Sequence, residues 1–335
     1  MTIPIRELSG IGSQQLTDDI LTSTEPLILR GLGANWPMVQ AATASQLDAS
    51  KYLMRFYRGQ QVGAFMSSPE AKGRYFYNDT VTAFDFGSVH ARLDQVLQEL
   101  WDKKDLDTPP SLYVGSTMVD EYLPGFRAEN DLGLGARDPL VSIWIGNRSR
   151  IAAHHDLPDN IAVVAAGRRR FTLFPPDQVA NLYIGPLDLT PAGQAISMVD
   201  FHQPDFVKFP KFAQALAHAH VAELETGDAI FIPSMWWHHV EGLEAFNVLV
   251  NYWWRHTPAW VDSPTGALMY AIMTIRNLPP EQRHAWASLF DHYVFDADVD
   301  DLAHIPPNAR GSLSMPLSEE ETRKLRTQVM NRMKR

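Results

Sequence analysis

Hydrophobic and polar positions along the chain change period twice. Up to about residue 140, short helical and strand-like stretches are mixed. EPLILRG (25–31) reads as a strand ending at a glycine, and NWPM (35–38) as a turn. SQLDASKYLMRFY (45–57) and HARLDQVLQELWDKK (90–104) carry apolar residues at helical spacing. From 139 to 255 the pattern is strand-like: VSIWIGN (141–147), NIAVVAAG (160–167), RFTLFPP (170–176), DAIFIP (228–233) and FNVLVNYWW (246–254). Turn signals bound each run. Many short strands without long helices between them predict a barrel or sandwich rather than a doubly wound sheet. A long insertion (177–225), rich in Pro and His, interrupts the strands and holds a short helix within FPKFAQALAHAH (209–220). After 256 the period becomes helical in ALMYAIMTIRN (267–277), PEQRHAWASLFDHYVF (280–295) and EEETRKLRTQVMNRMKR (319–335). Ser318 is placed to cap the last of these, with acids in its first turn and bases in its last, as the helix dipole favours.

Composition narrows the chemistry. The chain has 335 residues, 45% hydrophobic and 20% charged, enough to bury a large core. A net charge of −10 argues against a nucleic-acid partner. With no cysteine, disulfides and thiolate metal sites are excluded, so any metal must use His, Asp or Glu. The N-terminus lacks the basic start and apolar core of a secretory signal, and no apolar run approaches the ~20 residues of a membrane span. A cytoplasmic protein is expected.

Two histidine clusters carry the candidate chemistry. In IAAHHDLPDN (151–160), His154 and Asp156 are two apart, so an extended segment aims both the same way. In WWHHV (236–240), Trp236, His238 and Val240 share one face, Trp237 and His239 the other. A His-x-Asp pair with one distant His matches the facial triad of non-haem Fe(II) oxygenases. The hard carboxylate and two imidazoles would hold one side of the ion and leave the other open. Spacing alone does not choose between His238 and His239, nor set aside His155.

The ordered run HHDLPDNIAVVAAGRRRFTLFPPDQ, then GDAIFIPSMWWHHVEGL, then VNYWW, resembles the cupin-like branch of the JmjC oxygenases, which includes the asparaginyl hydroxylase that inhibits hypoxia-inducible factor. EPLILRGLGANWP resembles that family's N-terminal element, so the likeness spans about 25–255. It implies a mainly β fold: a double-stranded β-helix (jelly roll) core at 139–256 with the insertion 177–225. An α/β region (1–138) would pack on and extend the barrel, and 257–335 would be helical. It implies Fe(II) ligands His154, Asp156 and His238, with His155 pointing away. Around the co-substrate 2-oxoglutarate it places Arg169, Tyr113, Asn160, Asn251 and Trp253. Arg169 stands where the family usually has lysine, and a guanidinium can grip a carboxylate bidentately. Ile151, three before His154, replaces a hydroxyl residue that helps hold that carboxylate.

The activity implied is oxidative decarboxylation of 2-oxoglutarate with O2 to succinate and CO2, coupled to hydroxylation of a protein side chain or small molecule. Demethylation ranks behind hydroxylation. The alternative is a metal-binding cupin without turnover. The C-terminal helices resemble in placement those through which relatives dimerise; their faces Leu268/Ile272/Ile275 and Trp286/Leu289/Phe290 fit a two-fold interface and fit packing against the barrel equally well, and a homodimer is expected.

Overall fold

The structure, a computed structural model, describes residues 2–334. The chain divides into two compact units, Met1–Arg255 and His256–Arg335.

The first unit is built on two sheets. Its strands are β1 (Arg6–Ser9), β2 (Leu27–Arg30), β3 (Gln61–Ser67), β4 (Arg74–Tyr75), β5 (Phe86–Arg92), β6 (Ser111–Met118) and β7 (Leu140–Gly146). Then follow β8 (Ser149–His154), β9 (Asp159–Ala166), β10 (Arg169–Phe174), β11 (His220–Leu224), β12 (Ala229–Ile232), β13 (Trp237–Gly242) and β14 (Asn247–Trp254). A nine-stranded sheet runs β1-β2-β12-β9-β14-β7-β6-β3-β5, and a five-stranded sheet runs β11-β10-β13-β8-β4. This is the mainly β jelly-roll core that the resemblance implies.

Strand β9 shows why the pattern reads as it does. All eight of its residues are buried. Ile161, Val163 and Ala165 face the core beneath the N-terminal helices, while Ala162 and Val164 face the interior between the sheets. A strand covered on both sides becomes a continuous apolar run rather than an alternating one.

The helix Gln46–Phe56 covers the outer face of the large sheet. Its Ser45 hydroxyl accepts from the Asp48 amide, closing the first turn. Ala49, Tyr52, Leu53 and Phe56 are its buried stripe. Burying each large apolar side chain contributes about 1.5–3 kcal/mol, which outweighs the marginal stability of so short a helix alone. NWPM is not only a turn: Pro37 opens a helix, Pro37–Ala44, at the position where its fixed φ and missing N–H cost nothing. The pattern at 90–104 also divides, into the end of β5 and a helix Leu93–Asp102.

The second unit holds helices Pro264–Thr274, Pro280–Phe290 and Glu319–Met333. Ser318 and Glu321 form a capping box on the last. Among the described residues of this unit, Leu302 is the only buried hydrophobic side chain. No helix among the described residues is long and apolar enough to cross a membrane.

Candidate metal centre

Strands β8, β10 and β13 build the site as a ladder of three rows. Leu173, His238 and His154 form one row, Phe171, Val240 and Ile151 the next, and Arg169, Gly242 and Ser149 the third. The step from His238 to Val240 spans two residues, whereas β8 uses three, so a bulge lies between His154 and Ile151. That extra residue keeps both side chains on the interior face despite their odd spacing.

His154, Asp156 and His238 each offer a ligand atom, and these atoms all lie within 4.8 Å of one another. His238 Nε2 is 3.7 Å from Asp156 Oδ2. The two imidazole centroids are 4.3 Å apart. His154 Nδ1 lies 2.9 Å from the Ala152 carbonyl and His238 Nδ1 3.0 Å from that of Trp236. A carbonyl only accepts, so each Nδ1 carries the proton and each Nε2 keeps a free lone pair. Burial, and then the neighbouring His154, push the His238 pKa down to about 4, which keeps the ring neutral. Asp156 lies just past the end of β8, where Met235 N donates to its carbonyl at 2.9 Å and Ser234 Oγ to that of Leu157 at 2.5 Å. Two neutral imidazoles and one hard carboxylate oxygen on one side of a space fit a divalent first-row ion such as Fe(II).

Below the triad sits a buried cation with no acidic partner. Arg169 is fully buried, and none of its three guanidinium nitrogens has a partner in hydrogen-bond geometry. Burial lowers its pKa; the Tyr113 hydroxyl, from the opposite sheet, opposes the shift by charge and by a loose hydrogen-bonding contact outside ideal geometry. Burial raises the pKa of Tyr113 in turn, and Arg169 moderates the rise. Tyr113 stacks on Trp144 at 5.5 Å, and Trp144 meets Trp253 edge-on at 6.3 Å, forming an aromatic wall. Asn251 Nδ2 donates to Asn160 Oδ1 at 2.9 Å, while Asn251 Oδ1 and Trp253 Nε1 are buried without partners.

The other two histidines lie outside the triad. The His155 ring meets Trp237 edge-on at 4.6 Å. His239 lies 4.6 Å from the Phe201 ring on the insertion side. Sequence reasoning missed two residues. Ser149, in the row of Arg169, buries a hydroxyl without a partner. Its position five before His154 carries no signal unless the bulge is known. Gln194 donates from Nε2 to Asp156 Oδ1 at 3.1 Å, from a loop that no spacing rule connects to the triad.

The cupin-like domain family matches residues 13–259. The chain belongs to that family. Human tRNA wybutosine-synthesizing protein 5 is 32% identical over 322 residues, 85% of this chain and 93% of the relative. Its chicken counterpart is 35% identical over 149 residues, 40% of this chain, which spans only 44% of that relative. Human HSPB1-associated protein 1 is 29% identical over 290 residues, 80% of this chain and 56% of the relative. These relatives, with an Arabidopsis thaliana protein named lysine-specific demethylase JMJ31 (30% identical over 34% of this chain and 21% of the relative), fit the JmjC-type cupin-like family as a whole. They do not support a particular kinship with the asparaginyl hydroxylase.

Proposed function

We propose that the chain is an Fe(II)- and 2-oxoglutarate-dependent oxygenase, and a hydroxylase by reaction type. The observation that carries this reading is Arg169. A fully buried guanidinium with no acidic partner is costly unless an anion joins it. It faces the same interior as a triad suited to Fe(II). A ligand with a carboxylate at one end and a metal-chelating group at the other answers both features at once, and 2-oxoglutarate is such a ligand. A metal-binding cupin without a co-substrate leaves Arg169 without a reason.

When bound, iron with 2-oxoglutarate and O2 would supply the oxidising power, one oxygen atom going to succinate as CO2 leaves and the other into a substrate C–H bond. The chain's own residues do the rest. His154, Asp156 and His238 would hold one side of the ion. Arg169 would fix the far carboxylate, with Tyr113 beside it. Trp144 and Trp253 would line the interior beside the co-substrate, and the hydrogen-bonded Asn160–Asn251 pair would offer it amide groups.

The substrate class follows less directly. A relative that this chain spans over 93% of its length is named for tRNA wybutosine synthesis, which favours a modified nucleoside over an unmodified nucleic-acid surface. The net charge of −10 agrees, since a general nucleic-acid binder needs a basic face. Protein side chains and small molecules are the other classes to screen.

The test is succinate formation by protein reconstituted anaerobically with Fe(II), then given 2-oxoglutarate and O2. Slow turnover that disappears in His154→Ala is the expected result. If the parent forms no succinate and calorimetry with Mn(II) detects no 2-oxoglutarate binding, the reading is wrong.

A further inference from the structure

Gln194 brings an amide from the insertion to the donor triad. Its contact with Asp156 Oδ1 is assigned by chemistry, because a carboxylate only accepts and the amide atom facing it must be nitrogen. With Oδ1 engaged, the carboxylate is turned so that Oδ2 faces His238 Nε2 at 3.7 Å. A carboxylate held this way offers a metal one oxygen. A carboxylate without such a hold can rotate, or chelate with both oxygens and use up an open position.

The segment carrying Gln194 is strapped to the metal-binding strand. Gly185 N donates to the Ile196 carbonyl and Met198 N to that of Tyr183, both at 2.9 Å, which closes a narrow loop. Ser197 N donates at 2.8 Å to the carbonyl of Ala153, the residue before His154. Ile196 is buried with Phe76, Tyr77 and Ala152, and Leu189 and Met198 pack against them. Tyr77 Oη donates to the Leu189 carbonyl at 2.6 Å. The base of the loop is therefore anchored on β8 itself, while its tip has no regular structure and ends in Gln194.

We propose that Gln194 is a positioning residue for Asp156, and that through it the loop 183–198 and the metal centre are linked. The loop holds the carboxylate in its one-oxygen presentation, and a bound ion in turn orders the loop. Such linkage is reciprocal: whatever the loop adds to metal affinity, the metal adds to loop order. The inference rests on the reading of the triad as a metal centre.

The test uses the full chain and Mn(II) alone as probe, with binding followed by electron paramagnetic resonance and loop order by hydrogen exchange. Outer-shell partners of metal ligands typically contribute about 10–100-fold in affinity. Gln194→Leu is therefore expected to weaken Mn(II) binding by at least tenfold while leaving the thermal midpoint of the metal-free protein unchanged. Mn(II) should slow amide exchange across 186–195 in the parent and fail to do so in the variant. Equal affinity and equal protection in both proteins would overturn the positioning role and leave the metal centre standing. If the parent binds no Mn(II), the metal reading falls and this inference falls with it. Gln194→Asn, which keeps the amide on a shorter stem, should lie between parent and Gln194→Leu; an Asn variant as weak as the Leu one, with a lowered midpoint in both, would point to loop packing instead and overturn the proposal.

Discussion

His154 stands opposite His238 in the β8–β13 ladder, and one extra residue in β8 separates this pair from the next, Ile151 opposite Val240. The bulge aims both Ile151 and His154 inward. The position between the metal row and the Arg169 row is thus apolar on every strand that contributes to it: Phe171, Val240 and Ile151.

That geometry makes Ile151→Thr an informative variant. Threonine keeps the β-branched shape and adds a hydroxyl facing the interior. In the ligand-free protein the hydroxyl gains no assured partner, and an unbonded buried hydroxyl costs about 1–3 kcal/mol. With a carboxylate bound beside Arg169, the hydroxyl can donate to it. The expected outcome is a lower thermal midpoint together with a severalfold gain in 2-oxoglutarate affinity, read by calorimetry with Mn(II). Weaker binding in the variant would mean that the carboxylate lies elsewhere.

Arg169 gives the opposite trade. Its guanidinium is buried with Tyr113 beside it and no acidic partner, so little in the fold offsets its desolvation. Removing a buried charge that has no acidic partner removes its desolvation cost, and even buried ion pairs replaced by apolar side chains are often neutral to about 1–4 kcal/mol more stable. Arg169→Leu should raise the thermal midpoint and abolish 2-oxoglutarate binding and succinate formation, with Mn(II) affinity kept. A destabilised variant would show that the guanidinium is structural.

Much of this architecture is legible in the sequence. The apolar runs among strands β7 to β14 are readable because a doubly covered strand cannot hide its composition, as β9 shows. His154, Asp156 and His238 came from motif order, and the structure brings their ligand atoms together. What was not legible depends on backbone irregularity or on loops. Strand β8 carries no clear strand signal, since SRIAAH lacks clean alternation, and its bulge is the reason. Ser149 and Gln194 have no period to betray them. The aromatic wall of Tyr113, Trp144 and Trp253 joins residues from β6, β7 and β14, and only strand order makes them neighbours.

The helical unit at His256–Arg335 sets up a prediction about assembly. Among its described residues Leu302 is the only buried hydrophobic, while Leu268, Met273, Trp286, Leu289 and Phe295 are 44–72% exposed. Helices this apolar and this little buried need a covering surface, and a second copy of the same unit offers a self-complementary one. Sedimentation equilibrium should give a mass of twice the 37.7 kDa chain. Leu289→Glu with Trp286→Glu should return it to one chain. A monomeric parent would remove the dimer.

The last prediction concerns acid. His238 and His239 are adjacent on β13 and both buried. Burial, followed by the neighbouring His154, lowers the His238 pKa from 6.5 to about 4. Burial, followed by His202, lowers that of His239 from 6.5 to about 3, with Arg150 and Arg74 adding to the effect and Asp200 opposing it. Glu241 also faces His239, at 3.8 Å. The sign follows from which state takes up the proton. Between about pH 6.5 and the folded-state values, the unfolded chain binds it and the folded chain does not. Stability of the metal-free protein is therefore full above about 6.5 and falls as the pH drops towards 4 and then 3. Each histidine adds a slope of up to about 1.4 kcal/mol per pH unit within that window. Neither nitrogen of His239 has a hydrogen-bond partner, and its ring packs against Phe201, so His239→Leu removes both the titration and two unsatisfied atoms. The variant should unfold at a higher temperature than the parent at pH 5, with the gap narrowing by pH 8. Parallel melting curves across that range would show that His239 takes up no proton on unfolding, contrary to what its burial requires.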